Sequence, residues 1–90
     1  EYAIGSRRLD LCLFYGKAQV AMELKVWRDG DPDPLPQGLG QLDRYLDGLG
    51  LATGWLVIFD QRRGLPPIAQ RTTTDNATTP AGRTVTVIRA

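Results

Sequence analysis

Arg7-Arg-Leu-Asp-Leu-Cys-Leu-Phe-Tyr15, then Gly16-Lys17, then Ala18-Gln-Val-Ala-Met-Glu-Leu-Lys-Val-Trp27 is the stretch that decides how this chain folds. Residues 7–15 alternate as a strand, with Leu9, Leu11 and Leu13 on one face and Asp10, Cys12 and Phe14 on the other. Both faces are largely apolar, which predicts an interior strand covered on two sides. Gly16-Lys17 suits a two-residue turn, since glycine supplies the positive φ of a tight hairpin. Residues 18–27 read as the returning strand. Val20, Met22, Leu24 and Val26 take one face, and Ala21, Glu23, Lys25 and Trp27 the other.

That turn sets a register. Tyr15 pairs with Ala18, so Asp10 is expected opposite Glu23 and Arg8 opposite Lys25. Directly opposed side chains have Cβ atoms ~4.5–5.5 Å apart, so the two carboxylates repel and are costly to desolvate. Three compensations are open: a divalent cation bridging both, partial neutralisation by Lys25 on the same face as Glu23, or retention of a proton by one carboxyl. Hard oxygen ligands favour Mg²⁺ or Mn²⁺. A metal-activated water beside an ammonium group is what phosphodiester hydrolysis requires. The structural alternative is a partly exposed Asp–Lys–Glu salt-bridge cluster with no ligand.

Beyond the hairpin, residues 28–36 carry the Pro and Gly of a loop, and Pro36 suits the first residue of a helix. Leu39, Leu42, Leu46 and Leu49 form one apolar stripe over about three turns, and Gly50 fits the stop. Trp55 to Phe59 is a continuous apolar run, expected as a buried strand reached by a crossover helix. Gly64-Leu65-Pro66-Pro67 reads as a turn, residues 71–83 as a Thr-rich polar loop, and Thr84 to Arg89 as a final, peripheral strand. With no internal repeat and no linker, residues 1–90 are expected to form a single α/β domain.

Composition narrows the chemistry. The 90 residues include no histidine and one cysteine, Cys12. An intrachain disulfide and His-based nucleophilic catalysis are therefore excluded, and a Cys/His zinc site has almost no ligands. No run approaches the roughly 18 apolar residues of a membrane span, and no signal-peptide pattern opens the chain, so a cytoplasmic protein without a membrane partner is expected. Residues 1–60 hold six basic and nine acidic side chains, whereas residues 61–90 hold five arginines and one aspartate. Arg62, Arg63, Arg71 and Arg83 fit either a basic rim for DNA or an ordinary charged surface. Asp29, Asp31 and Asp33 imitate a calcium loop, but Pro34 stands where glycine is required.

Asp10, followed by Glu23-Leu24-Lys25 on the next strand, resembles the P-D…(D/E)-x-K motif of the restriction-endonuclease-like nuclease superfamily. Gln41-Leu42-Asp43-Arg44-Tyr45 resembles the Gln-x-x-x-Tyr motif of several of its branches. The run from Gly5 to Leu11, with Glu23 to Trp27 and the Gln41 helix, is most similar to the nuclease-like domain fused behind a bacterial P-loop ATPase domain. The resemblance covers residues 5–60, with Leu9 in place of the motif's proline.

The resemblance implies a mixed β-sheet with a crossover helix, whose first core helix would precede Glu1. It implies that Asp10, Glu23 and the backbone carbonyl of Leu24 hold Mg²⁺ or Mn²⁺ and that Lys25 assists the attacking water. Gln41 and Tyr45 would point at the site or the nucleic-acid backbone, and Arg7 and Arg8 fit phosphate contacts. The expected activity is metal-dependent hydrolysis of DNA, with an ATPase domain in the same full-length chain. The alternatives are an inactive nuclease-like module that regulates or docks that ATPase, or nucleic-acid binding without cleavage.

Overall fold

The computed structural model describes residues 2–4, 7–9, 11–15 and 18–90, with side chains from residue 19 onward. Its centre is a five-stranded mixed sheet. In chain order the elements are β1 (Tyr2–Ile4), β2 (Arg7–Leu9), β3 (Leu11–Tyr15), β4 (Ala18–Trp27), α1 (Leu35–Leu49), β5 (Thr53–Asp60), α2 (Ile68–Arg71), β6 (Thr73–Thr78) and β7 (Thr84–Arg89). The sheet order is β3-β4-β5-β7-β6, with β1 and β2 forming a separate antiparallel pair. β4, β5 and β7 are mutually parallel, and antiparallel β3 and β6 close the two edges.

The β3–β4 ladder runs from Leu11↔Met22 to Tyr15↔Ala18, in the register expected from the sequence. Gly16, Lys17 and Asp10 lie outside the described residues, so the turn and the Asp10–Glu23 pairing do too. The single strand expected over residues 7–15 is divided. Arg7–Leu9 belongs to β2, where Arg8 pairs with Ala3 rather than Lys25. Side-chain alternation does not specify which strand lies alongside, and Tyr2–Ile4 supplies an antiparallel partner.

Helix α1 begins one residue before Pro36 and runs a turn longer than the leucine stripe requires. Asp33 Oδ1 accepts the Leu35 N–H at 3.0 Å, satisfying a donor the first turn leaves open. At the other end Gly50 takes φ 70°, its N–H bonds to the Asp47 carbonyl at 3.2 Å, and the Leu51 N–H bonds to the Leu46 carbonyl at 2.9 Å. This is a Schellman stop, built where glycine tolerates the left-handed conformation.

The stripe packs onto the sheet through Leu42 and Leu46, both sealed from solvent, with Leu39 and Leu49 partly covered. They meet Ala21, Leu56, Ile58, Val85 and Val87. Two glycines let the helix approach closely. A Cβ at Gly54 on β5 would stand 3.1 Å from a Leu46 methyl, and one at Gly38 on α1 would stand 2.9 Å from a Leu56 methyl.

Four expectations need correction. Residues 11–15 are not an interior strand, because β3 is an edge of the sheet, and alternation reports a strand's two faces rather than its place in the strand order. The Thr-rich segment is not all loop, because residues 73–78 form edge strand β6, exposed on nearly every side chain. A strand that packs only Ala77 against the core shows no apolar alternation, leaving its β-branched threonines as the signal. The last strand is not peripheral: β7 lies between β5 and β6, and Val85 and Val87 are core residues. The Trp55–Phe59 run is buried only at its centre. Leu24, Val26, Trp55 and Phe59 are exposed on the face away from α1. Among the described residues, no helix is long and apolar enough to cross a membrane.

Candidate functional site

Alternation along β4 turns Ala21, Glu23, Lys25 and Trp27 toward α1. Glu23 retains 6% of its exposure, although its parallel neighbour is Leu56. Burying a carboxylate carries a desolvation cost that pairing or hydrogen bonding must offset. Lys25, beside Ile58 in the register, lies over the same layer.

The Lys25 ammonium donates to Gln41 Oε1 at 3.1 Å, tying the Glu-x-Lys strand to the Gln-x-x-x-Tyr helix. Gly38, one helical turn before Gln41, makes room for the lysine stem, since a Cβ there would stand 3.3 Å from Lys25 Cγ. A groove of about 670 Å³ opens beside this lysine, lined by Leu24, Lys25, Val26, Arg28, Asp33 and Gln37 among others. The groove sets two cationic side chains, Lys25 and Arg28, beside two carboxylates, Asp31 and Asp33, so its side-chain charges balance.

The other expected site residues separate. Tyr45 is a core residue, which withdraws most of its surface from contact with a nucleic acid. Leu24 lies between Glu23 and Lys25, with its side chain on the opposite face. Arg7 and Arg8 sit on β2, where the backbone alone is described, and Asp10 is outside the described residues. Glu23 is thus the one expected metal ligand whose carboxylate is described. Among the described residues no group of three or more His, Cys, Asp or Glu comes together. A hard divalent cation at Glu23 would need oxygen donors from Asp10, backbone carbonyls or water, a donor set these residue types can supply.

The rim expected from Arg62, Arg63, Arg71 and Arg83 divides between two ends of the molecule. Arg83 clasps α1: it donates to Asp43 at 2.8 Å, to Asp47 at 3.0 Å and to the Leu51 carbonyl at 3.2 Å. Asp43 also accepts from the buried Thr79 hydroxyl at 2.6 Å and the Ala81 N–H at 3.2 Å. The Thr79 bond does most to hold Asp43 below the usual carboxylate range, against the opposing pull of burial, with Arg83 and Ala81 adding to it. Asp43, embedded in the Gln-x-x-x-Tyr stretch, is therefore structural.

Arg62 and Arg71 gather at the other end with Arg89. The Arg62 guanidinium stacks 3.5 Å above the Trp27 ring centroid and grips Asp60 at 2.9 and 2.7 Å. Hydrogen bonds from Arg62 hold the Asp60 carboxyl low, and Asp60 in turn raises the Arg62 pKa. Arg63 pairs with Asp29 at 3.5 Å, and Asp33 pairs with Arg89 at 3.0 Å, so two of the three calcium-loop look-alikes serve ion pairs. The grouping of Trp27, Asp60 and Arg89 has no local sequence signal, because only the parallel strand order makes their strand ends neighbours.

No protein-family model, curated protein or solved structure matches the chain.

Proposed function

We propose that this is a restriction-endonuclease-like nuclease domain that hydrolyses DNA phosphodiesters with a divalent metal, working beside an ATPase domain of the same full-length protein. The observation that carries this reading is the Lys25–Gln41 bond at 3.1 Å, on the strand face that also holds the buried carboxylate of Glu23. Two separate motif segments contribute to one polar cluster on an otherwise hydrophobic layer.

Glu23, Asp10 and the Leu24 carbonyl are the groups to hold Mg²⁺ or Mn²⁺. When bound, the ion supplies Lewis-acid stabilisation of the phosphate and a lower pKa for water. Lys25, one of the residues lining the groove, supplies a compact positive charge to stabilise the charge that builds on the scissile phosphate. Gln41, a neutral acceptor, fixes the ammonium's position without cancelling its charge. Gly38 leaves room for the lysine stem against the helix.

The near-complete burial of Glu23 favours a second reading, a nuclease-like module that binds nucleic acid or regulates the ATPase without cleaving, because hydrolysis requires water to reach that carboxylate. A DNA-cleavage assay with Mg²⁺ or Mn²⁺ separates the two. The nuclease reading predicts metal-dependent nicking that falls on the order of 10²-fold or more in Glu23→Gln and in Asp10→Ala. Salt-sensitive DNA binding without metal-dependent nicking would decide for the second reading.

A further inference from the structure

We propose that the cleft among Arg62, Arg71 and Arg89, walled by Trp27, is a phosphate-binding site separate from the Glu23–Lys25 cluster. Trp27, Asp60 and Arg89 are the last residues of the parallel strands β4, β5 and β7. Open α/β sheets bind their ligands beyond the carboxyl ends of such strands. Here those ends enclose a cavity of about 330 Å³.

The three arginines are not equally committed. Arg62 is engaged on two sides, stacked on Trp27 and bonded to both oxygens of Asp60, so the one acidic side chain lining the cleft is already neutralised. Arg89 donates to both oxygens of Asp33, at 3.0 and 3.4 Å. Arg71 donates one Nη1 N–H to the Asp60 backbone carbonyl at 2.8 Å, while its Nη2 makes no hydrogen bond to any described residue. Among the described residues no carboxylate forms an ion pair with Arg71.

An accessible guanidinium edge with no carboxylate partner keeps its donors and its charge available to an anion. The uncommitted Arg71 donors, with the Arg62 and Arg89 guanidinium groups around the same cleft, suit the several oxygens of a phosphate better than a single-point acceptor. Asp29 and Asp33 lie within electrostatic reach of Arg62, so the positive excess is small. A dissociation constant on the order of 1 mM is expected for the lone ion. The phosphate could belong to a free ion or nucleotide, or to a nucleic-acid backbone.

The full chain, kept in chelator so that metal binding plays no part, is titrated with inorganic phosphate while arginine Nε–H signals are followed by NMR. A short DNA oligonucleotide forms the second arm. Saturable shifts at Arg71 and Arg89 are expected, with affinity about tenfold weaker in Arg71→Gln and unchanged in Arg44→Gln, a substitution on exposed helix surface. Arg71→Lys keeps the charge but not the fork and should also bind weakly, which covers the case in which Arg71→Gln fails to fold. Tighter binding of the oligonucleotide at the same signals, with a salt slope reduced by about 1 in the Arg71 variants, identifies a backbone phosphate. Response to inorganic phosphate alone identifies a free ion or nucleotide. No shift at either arginine, or equal weakening by Arg44→Gln, would overturn the proposal. Loss of metal-dependent cleavage has no bearing on these outcomes.

Discussion

The two halves of α1 handle charge differently. At its C-terminal half, Asp43 and Asp47 receive Arg83 at 2.8 and 3.0 Å, and Thr79 and Ala81 complete the carboxylate shell around Asp43. At its N-terminal half, Gln41 receives Lys25 at 3.1 Å, so a cation is positioned by a neutral amide. A charge matched by opposite charges on its own fold acts as a fastener. A charge held in place by a neutral group keeps its field for whatever enters the adjoining groove. The same helix thus anchors the β6–β7 turn at one end and orients a lysine at the other.

The sharpest way to break this comparison is to truncate the fastener. Asp43→Ala leaves the Thr79 hydroxyl, the Ala81 N–H and Arg83 without their acceptor. It should lower stability by about 2 kcal/mol, read from the urea midpoint. Gln41→Ala should cost under about 1 kcal/mol in the same assay. Equal losses would mean that both halves are structural.

A smaller effect comes from a pair of glycines two residues apart on α1. Gly40→Ala meets nothing within 4 Å and should gain roughly 0.5–1 kcal/mol, the ordinary advantage of alanine in a helix. Gly38→Ala presses on Leu56 at 2.9 Å and on the Lys25 stem at 3.3 Å. It should lose about 1 kcal/mol instead, since overpacking outweighs propensity. Thermal melts of the two variants read the sign directly.

The smallest effect is in the pH profile. Asp43 and Asp60 both have folded pKa values below the ordinary range, so the unfolded chain takes up their protons at higher pH than the folded one does. Their contribution is complete above the unfolded value of about 3.9 and disappears as pH falls through the lower folded values. Asp43→Asn should therefore flatten the acid limb of stability while leaving the slope near neutrality unchanged.

Much of the half containing α1 was legible in the sequence. The register of β3 on β4, the leucine stripe, the Gly50 stop and the parallel strand after the helix follow from alternation, the 3.6-residue period and one glycine. Gln41 could be placed near Lys25 only through a motif, because periodicity does not say which turn of a helix crosses which strand position. Tyr45, one turn later, went into the core. The half beyond Asp60 was less legible. Its edge strand has no buried face to imprint an alternation, and β7 looked peripheral because strand order is not encoded locally. The Trp27–Arg89 neighbourhood was hidden for the same reason.

The central claim is that Lys25 belongs to a reacting site. It is tested most directly by the rate of Mg²⁺-dependent DNA cleavage in Lys25→Ala, measured beside a melt showing the fold intact. The account predicts a loss on the order of 10²-fold or more with little change in melting temperature. Cleavage at the unaltered rate by the folded variant would contradict it.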